Sequence, residues 1–558
     1  MKNHQLHPRL QFTTVREVLE WARETHKDKI AYSYREKASD QEILKVSFEK
    51  LHRDAAALAS ALTAMGVQGK HCAVVGKLSY HWALVYFAVL SAGGVLMPLD
   101  KDWKPEDLAH TAGEGEAKFL FCDSESKEAA EAISARADLE HSPVWMNACG
   151  EGSLEELLSY GKVNPTALPA VDPANPALLV YTSGTTGAGK GVLLSQEAII
   201  SNITAALPYI DYSEKTVGVL PPHHTYGSTV MFLGHTIIGS EVYISAGLRH
   251  IQRELKEQKP GHLVLVPLYL ETFYRKILAN VKEQKKEKLL FSMIKVSNAL
   301  RKTGIDLRKK LFASVREAFG GEIKTVISGG APINRDILAF FEAIGISTLN
   351  GYGITECAPL IAVNRSRCIV PDSVGHVIDV DTVKIQDPDD NGEGEILVKG
   401  PNVMLGYYKN PAATAEAIDS EGYFHTGDYG RLDENGILFI TGRKKNLIIL
   451  SNGKNVYPEE MENDLIALPG VLEVVVYQGK SKRGEAHDAI VAEIYPDPEY
   501  CKKNGVEDPT AFLKAHVDAY NRTATSYKRI AKLKVRHTEF PKNTLRKIKR
   551  FELDTTID

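Results

Sequence analysis

Tyr181-Thr182-Ser183-Gly184-Thr185-Thr186-Gly187-Ala188-Gly189-Lys190-Gly191 follows directly on the apolar segment Ala177-Leu-Leu-Val180, and its composition decides how the chain is read. Glycines let successive backbone N–H groups turn inward as an anion nest, the Ser and Thr hydroxyls add donors, and Lys190 brings a mobile point charge. These are the groups a polyphosphate needs. Gly184 to Lys190 also satisfies the G-x-x-x-x-G-K pattern of a P-loop, but that pattern continues with Ser or Thr to hold Mg2+ and opens a helix. Here Gly191 follows, and Gly191-Val-Leu-Leu194 reads as a second strand, with Ser195 as the N-cap of a helix beginning near Gln196. The stretch therefore predicts strand, phosphate-holding loop, strand, helix. The plainer alternative is a glycine-rich surface loop.

Outward from this loop, composition sets bounds. At 558 residues the chain is too long for one core and fits two or more domains. A hydrophobic fraction of 44% and a charged fraction of 25% are those of a globular protein, and a net charge of −4 gives no pull toward nucleic acid or an anionic membrane. The 6 cysteines (Cys72, Cys122, Cys149, Cys357, Cys368, Cys501) form no C-x-x-C pair, so neither a zinc site nor a disulfide framework is indicated and a reducing cytoplasm is expected. Met1-Lys-Asn-His-Gln-Leu-His-Pro8 has no hydrophobic signal core, and no apolar run approaches bilayer length.

Leu51, Ala55, Leu58, Leu62 and Met65 recur at helical spacing and stop at Gly66, before the strand-like Cys72-Ala-Val-Val75. His81 to Ala92 reads as another helix, ahead of Val95-Leu-Met97. This alternation predicts parallel α/β layers. The Pro-rich 164–176 stretch reads as an internal linker. From about Val380 short strands and turns take over, and past Gly442-Arg443-Lys444-Lys445 a separate α+β pattern begins.

Five further segments carry chemistry. In Pro221-Pro-His223-His224-Thr-Tyr226-Gly227 a histidine interrupts an apolar run, most simply as a satisfied core residue. Ser328-Gly329-Gly330-Ala331-Pro332 follows the strand-like Lys324-Thr-Val-Ile327; only small residues there let a flat base slide against backbone, although a simple strand-to-helix turn has the same look. In Asn350-Gly351-Tyr352-Gly353-Ile354-Thr355-Glu356, glycines flank an aromatic that suits purine stacking, then come a hydroxyl and a carboxylate. Mg2+ takes few carboxylates plus phosphate oxygens and water, which makes Glu356 the metal ligand. The other two segments are Gly422-Tyr-Phe-His-Thr-Gly-Asp428 and Phe540-Pro-Lys-Asn-Thr-Leu545-Arg546-Lys547-Ile548.

Together with the loop, and in the same order, these segments resemble the adenylate-forming (AMP-binding) superfamily, most of all bacterial long-chain fatty acyl-CoA synthetases. The resemblance implies an α/β fold: a large N-terminal AMP-binding domain (1–442) of α/β subdomains plus a small β-barrel-like subdomain, a hinge at 443–445, and a small mobile α+β lid domain (446–558) carrying the catalytic lysine. It implies that His224 lies beside the substrate carboxylate, that Asp428 and Arg443 hold the ribose hydroxyls, that Lys445 marks the hinge and that the loop around Gly453 meets a thiol. Lys190 and Lys547 would be the catalytic cations. Three positions depart from the family pattern: Gly189 replaces a proline, Asn446 stands where an acidic residue is frequent, and Leu545-Arg546 replaces Ser-Gly before Lys547.

The implied reaction joins a carboxylic acid, expected to be a medium or long fatty acid, to AMP at the expense of ATP with Mg2+, then passes the acyl group to the thiol of CoA. An acyl carrier protein as acceptor, an aryl or short-chain acid as substrate, and a nucleotide-binding protein without turnover are the alternatives. Leu289, Met293, Val296 and Leu300 form an apolar stripe among lysines and arginines within 281–311; packing against the main domain is the expectation, and a peripheral membrane contact is the alternative.

Overall fold

Seven strands form the sheet that carries the phosphate loop, in the order Gly406–Tyr407, Gly191–Ser195, Pro176–Tyr181, Val95–Leu99, His71–Val75, Ala117–Cys122, Val144–Trp145. The computed structural model describes residues 4–182, 189–451, 454–481, 486–542 and 548–557, with the side chains of 486–488 excepted. The strands from Pro176–Tyr181 to Val144–Trp145 run parallel, as the alternating helix and strand pattern predicts. Gly191–Ser195 then returns antiparallel to Pro176–Tyr181, with Tyr181 opposite Gly191. This is a strand, not the helix that a P-loop opens. A Cβ at Gly191 would lie 2.9 Å from Leu179 Cδ1 and 3.3 Å from the Tyr181 ring, so the hydroxyl residue of a P-loop would crowd both.

The Ser195 hydroxyl accepts from Ala198 N at 3.0 Å and starts the helix Gln196–Ala206. Ser47 caps Phe48–Ala64 in the same way, and Gly66 ends that helix at φ +78°, a conformation that favours glycine. The helix Tyr80–Ser91 is buried all round except at His81, as an element inside the core must be.

A four-stranded sheet joins Leu44–Ser47 and Ile30–Tyr34 to Glu241–Ile244 and Lys215–Gly218. A nine-stranded sheet begins with parallel His262–Leu265, Thr325–Ser328 and Ser347–Gly353 and continues antiparallel through Leu360–Val363, Gly375–Val377, Ile437–Arg443, Phe424–Leu432, Gly394–Lys399 and Thr382–Gln386. The antiparallel strands thus start before the change of pattern at Val380. After residue 447 a separate hydrophobic cluster forms around Val456, Met461, Val476, Ile494 and Val517, on the sheet Val471–Lys480, Ala486–Pro496, Lys532–Val535.

The apolar stripe expected at Leu289, Met293, Val296 and Leu300 is only partly the buried face of Glu287–Arg301: Met293 packs against the hydrophobic cluster and Leu300 is half-buried. Leu289 and Val296 are 56% and 57% exposed, whereas Leu290 and Ser297 are buried. An offset of one residue turns a helix by about 100°, and contacts with Pro267–Glu283 and Arg335–Ala343 select the later face. No described helix is long and apolar enough to cross a membrane.

Candidate active site

A cleft of about 3030 Å³ opens where loops from the first 446 residues meet the C-terminal segment, and every described site residue expected from the sequence, from Thr182 to Lys445, lines it. Ser183, Gly184, Thr185, Thr186 and Gly187 of the phosphate loop, Gly453, and Lys547 lie outside the described residues. The segments flanking them do reach the cleft: Thr182, Gly189 and Lys190 on one side, Lys542 and Ile548 on the other. Thr182 N donates to Lys190 O at 3.1 Å and closes the loop at its neck.

Part of the cleft wall is built from strand termini. Gly329 N donates to Leu265 O at 3.3 Å, and a Cβ at Gly329 would lie 3.4 Å from the Tyr226 ring, so the Ser328 to Pro332 turn offers flat backbone to the cleft. The Tyr226 hydroxyl donates to Leu265 O at 3.2 Å and fixes that ring under the turn. The turn does lead from a strand into a helix, Arg335–Ala343, capped by Asn334. At the end of Ser347–Gly353, the Tyr352 hydroxyl donates to Asp428 Oδ2 at 2.7 Å, and Asp428 Oδ1 meets Arg443 Nε at 3.1 Å. Asp428 and Arg443 face each other across the antiparallel pair Phe424–Leu432 and Ile437–Arg443. Burial and the Asp428 carboxylate push the Tyr352 hydroxyl well above its ordinary pKa, so it remains a donor. Gly353 has no alternative: a Cβ there would lie 2.1 Å from Pro359 O.

Glu356 sits on the turn Thr355–Cys357. Its Oε1 accepts from the Tyr407 hydroxyl at 2.9 Å, while Lys190 Nζ lies 4.6 Å from the Tyr407 ring centroid. Oε2 has no hydrogen-bond partner among the described residues. A carboxylate lining the cleft with one oxygen left over, and a lysine set over the same tyrosine, suit a hard dication that keeps most of its ligands as phosphate oxygens and water. Sequence reasoning missed Tyr407, and it also missed the clamp beneath the turn. Asn202 Nδ2 donates to Cys357 O (3.0 Å) and Leu360 O (2.7 Å); Asn402 Nδ2 reaches the same two carbonyls at 3.1 and 3.2 Å and Asp381 Oδ2 at 3.1 Å. Burial pushes the Asp381 carboxyl up to about 8. Asn202, Asp381 and Asn402 come from distant segments, and only the fold brings them together.

His224 caps the short turn Thr225–Gly227, its Nδ1 accepting from Tyr226 N at 3.4 Å, and the chain then winds through a π-helix at Ser228–Gly234. Such bulges concentrate at functional sites. Its neighbour His223 faces Asp100, Nε2 to Oδ2 3.5 Å, in the same wall. Leu248, Ile251, Val266, Leu268, Tyr269 and Phe273 give the cleft an apolar lining. Among them stands Glu271, whose carboxyl burial pushes up against the opposing pull of Arg275.

Around residues 443–445, Lys444 Nζ pairs with Glu395 at 2.6 Å. Asn446 Nδ2 donates to Glu459 Oε1 at 2.5 Å, so the amide found in place of an acidic residue draws its carboxylate from the next helix, Pro458–Ile466. Burial first, and then the Arg443 charge, lower the Lys445 ammonium pKa.

The family described as AMP-binding enzyme matches residues 19–408. Long-chain-fatty-acid–CoA ligase FadD15 of Mycobacterium bovis is 30% identical over 468 residues, covering 79% of this chain and 76% of the relative. The chloroplastic long-chain-fatty-acid–[acyl-carrier-protein] ligase AEE15 of Arabidopsis thaliana is 27% identical over 555 residues, covering 85% and 75%. Among solved structures, ATP-bound MatB from Rhodopseudomonas palustris shares the fold with a TM-score of 0.75 at 25% identity over 96% of this chain and 97% of that one. The family match takes in the phosphate loop, the Ser328 and Asn350 strand ends and the Glu356 turn, which are the parts that shape the cleft, and on that ground the chain belongs to the AMP-binding enzyme family.

Proposed function

We propose that this enzyme activates a medium- or long-chain fatty acid with ATP to acyl-AMP and pyrophosphate, and then transfers the acyl group to the thiol of CoA, releasing AMP. The observation that carries the reading is the convergence of Lys190, Glu356 and the Tyr352–Asp428–Arg443 chain on one cleft that His224 and a set of apolar side chains also line. A carboxylate is a poor acyl donor because oxide is its leaving group. In the first half-reaction its oxygen attacks the α-phosphorus in line, and the bond to the bridging oxygen breaks. Lys190 holds the outer phosphates, Lys547 spans carboxylate and α-phosphate, and Asp428 with Arg443 orients the ribose. Glu356 is the residue that would hold Mg2+, which when bound supplies further neutralisation of phosphate charge.

In the second half-reaction the thiol sulfur attacks the acyl carbon and AMP leaves. The reading assigns 446–558 to a lid that turns about 443–445 and exchanges Lys547 for the loop around Gly453. The separate hydrophobic cluster after residue 447 supports that division. CoA is the acceptor favoured by FadD15; the acyl-carrier-protein ligase AEE15 supplies the second reading, in which a carrier protein brings the thiol. The free cysteines suit a reducing cytoplasm. Exposed Leu289 and Val296, beside Lys288 and Lys295, give the surface on which a peripheral membrane contact would form.

The test is ATP–pyrophosphate exchange with dodecanoate in the absence of thiol, with mass spectrometry of the protein-bound product. Exchange that needs the fatty acid and yields dodecanoyl-AMP is expected. Exchange without the acid, or none with any acid in a panel from acetate to hexadecanoate and benzoate, overturns the reading.

A further inference from the structure

Away from the cleft, the N-terminal segment is strapped against Pro208, Tyr212 and the loop that joins Leu360–Val363 to Gly375–Val377. Leu6 N and His7 N both donate to Pro208 O (2.7 and 3.2 Å), Arg367 Nη1 donates to Gln5 O at 3.1 Å, and the His7 ring stacks on Tyr212 with centroids 4.3 Å apart. This anchoring brings His4 edge-on to His376, centroids 5.7 Å apart and planes at 82°. Cys368 completes the cluster: one ligand atom from each of His4, Cys368 and His376 lies within 4.8 Å of the other two. His4 Nδ1 and His376 Nδ1 are buried and have no hydrogen-bond partner. A buried imidazole nitrogen without a partner carries a desolvation penalty that native structures rarely leave uncompensated. Two of them in one cluster with a thiol is an arrangement that packing alone does not account for.

We propose that His4, Cys368 and His376 form a binding site for a borderline or soft transition-metal ion, Zn2+ or a metal of similar preference, separate from the catalytic cleft. Two imidazoles and a thiolate are the donor set such ions select. Zn–S near 2.3 Å and Zn–N near 2.0–2.1 Å put tetrahedral ligand atoms about 3.5 Å apart, so the present spacing closes by rotation of His4 and Cys368, with solvent in the fourth position. The charges that face the site also tolerate a cation. Arg365 is paired with Asp379 at 3.1 Å and stacked on Tyr209, Asp379 and Asp433 act on His376 with the opposite sign, and thiolate formation removes one positive charge from a bound dication.

The site has a route to the nucleotide end. Between Cys368 and His376, Ser373 O accepts from Asn350 Nδ2 and from Asn364 Nδ2, each at 3.3 Å. A metal at this position would fasten the N-terminal segment to the same loop that supports Asn350.

The experiment is a Co2+ titration of the untagged full-length chain, followed by optical spectroscopy. One equivalent of Co2+ per chain, with a thiolate-to-cobalt charge-transfer band that Zn2+ abolishes, is expected. In Cys368→Ser the band should vanish, and in His4→Ala, a change on the surface strap that leaves the core untouched, affinity should fall at least tenfold. Zn2+ should in addition slow carbamidomethylation of Cys368, read by peptide mass, while leaving Cys149 unprotected. A chain that gives no charge-transfer band, a band that survives Cys368→Ser, or an affinity unchanged in His4→Ala overturns the proposal.

Discussion

Tyr352 and Asp428, separated by 76 residues in the chain, share a 2.7 Å hydrogen bond that leaves the carboxylate fixed on one oxygen by a phenol and on the other by Arg443. A carboxylate held on both sides is positioned in advance for the ribose contact proposed for it. Asp428→Asn keeps the shape but loses the charge-assisted acceptor, which is worth about 1.5–3 kcal/mol. The KM for ATP should rise roughly 10- to 100-fold, and Tyr352→Phe should raise it by less, because the aspartate keeps Arg443. Initial rates against ATP concentration check both, and equal effects would mean that Tyr352 itself touches the nucleotide.

Tyr407 holds Glu356 through one oxygen and offers its ring to Lys190. Tyr407→Phe keeps the ring and removes the hydroxyl, so the Mg2+ concentration for half-maximal adenylation should shift several-fold while the KM for the fatty acid stays put. Glu356→Gln should shift it further, since an amide carries no charge for the metal. A magnesium titration unchanged in both variants would make Glu356 a structural residue.

Burial pushes the Asp381 carboxyl from 3.8 up to about 8. The folded state therefore holds a proton that the unfolded chain gives up near pH 4, and this stabilising contribution, complete below that pH, is lost as pH rises through about 8. Asp381→Asn can keep the bond from Asn402 without titrating. Relative to the wild type, the variant should gain stability between pH 5 and about 8 and level off above that, a gain on the order of 4 kcal/mol. Parallel curves of Tm against pH for the two proteins would show that Asp381 is not held neutral.

Lys547→Ala should lower adenylation by about 10²–10³-fold, the scale for removing a preorganised charge partner, while conversion of supplied acyl-AMP and CoA to thioester continues. The motivation is the place of Lys547 in its C-terminal motif despite Leu545-Arg546. Equal loss in both half-reactions contradicts the assignment.

The parts of the site legible in the sequence are those in which local chemistry is decisive. Gly191 and Ser195 are enough to turn a P-loop pattern into strand, loop, strand and helix, because one lacks the hydroxyl and the other caps the next helix. Gly351, Tyr352 and Gly353 announce a strand end with a flat approach. Tyr407, Asn202, Asn402 and Asp381 carry no local signature: their roles come from carbonyls and carboxylates more than twenty residues away, and no window of sequence contains both partners. The exposure of Leu289 and Val296, in a stripe whose Met293 does pack inward, has a related reason. Helical spacing identifies a face, but the neighbours decide which of two adjacent faces is buried.

Whether the cleft is built for a fatty acid is decided by catalytic efficiency with CoA across a series of acids from butanoate through dodecanoate, with benzoate alongside. Each methylene buried in an apolar lining contributes up to about 0.8 kcal/mol, so kcat/KM should climb steadily with chain length and exceed that for benzoate. A flat profile, or a maximum at the aromatic acid, would contradict the fatty-acid assignment, and activity confined to a phosphopantetheinylated carrier protein would contradict CoA as the acceptor.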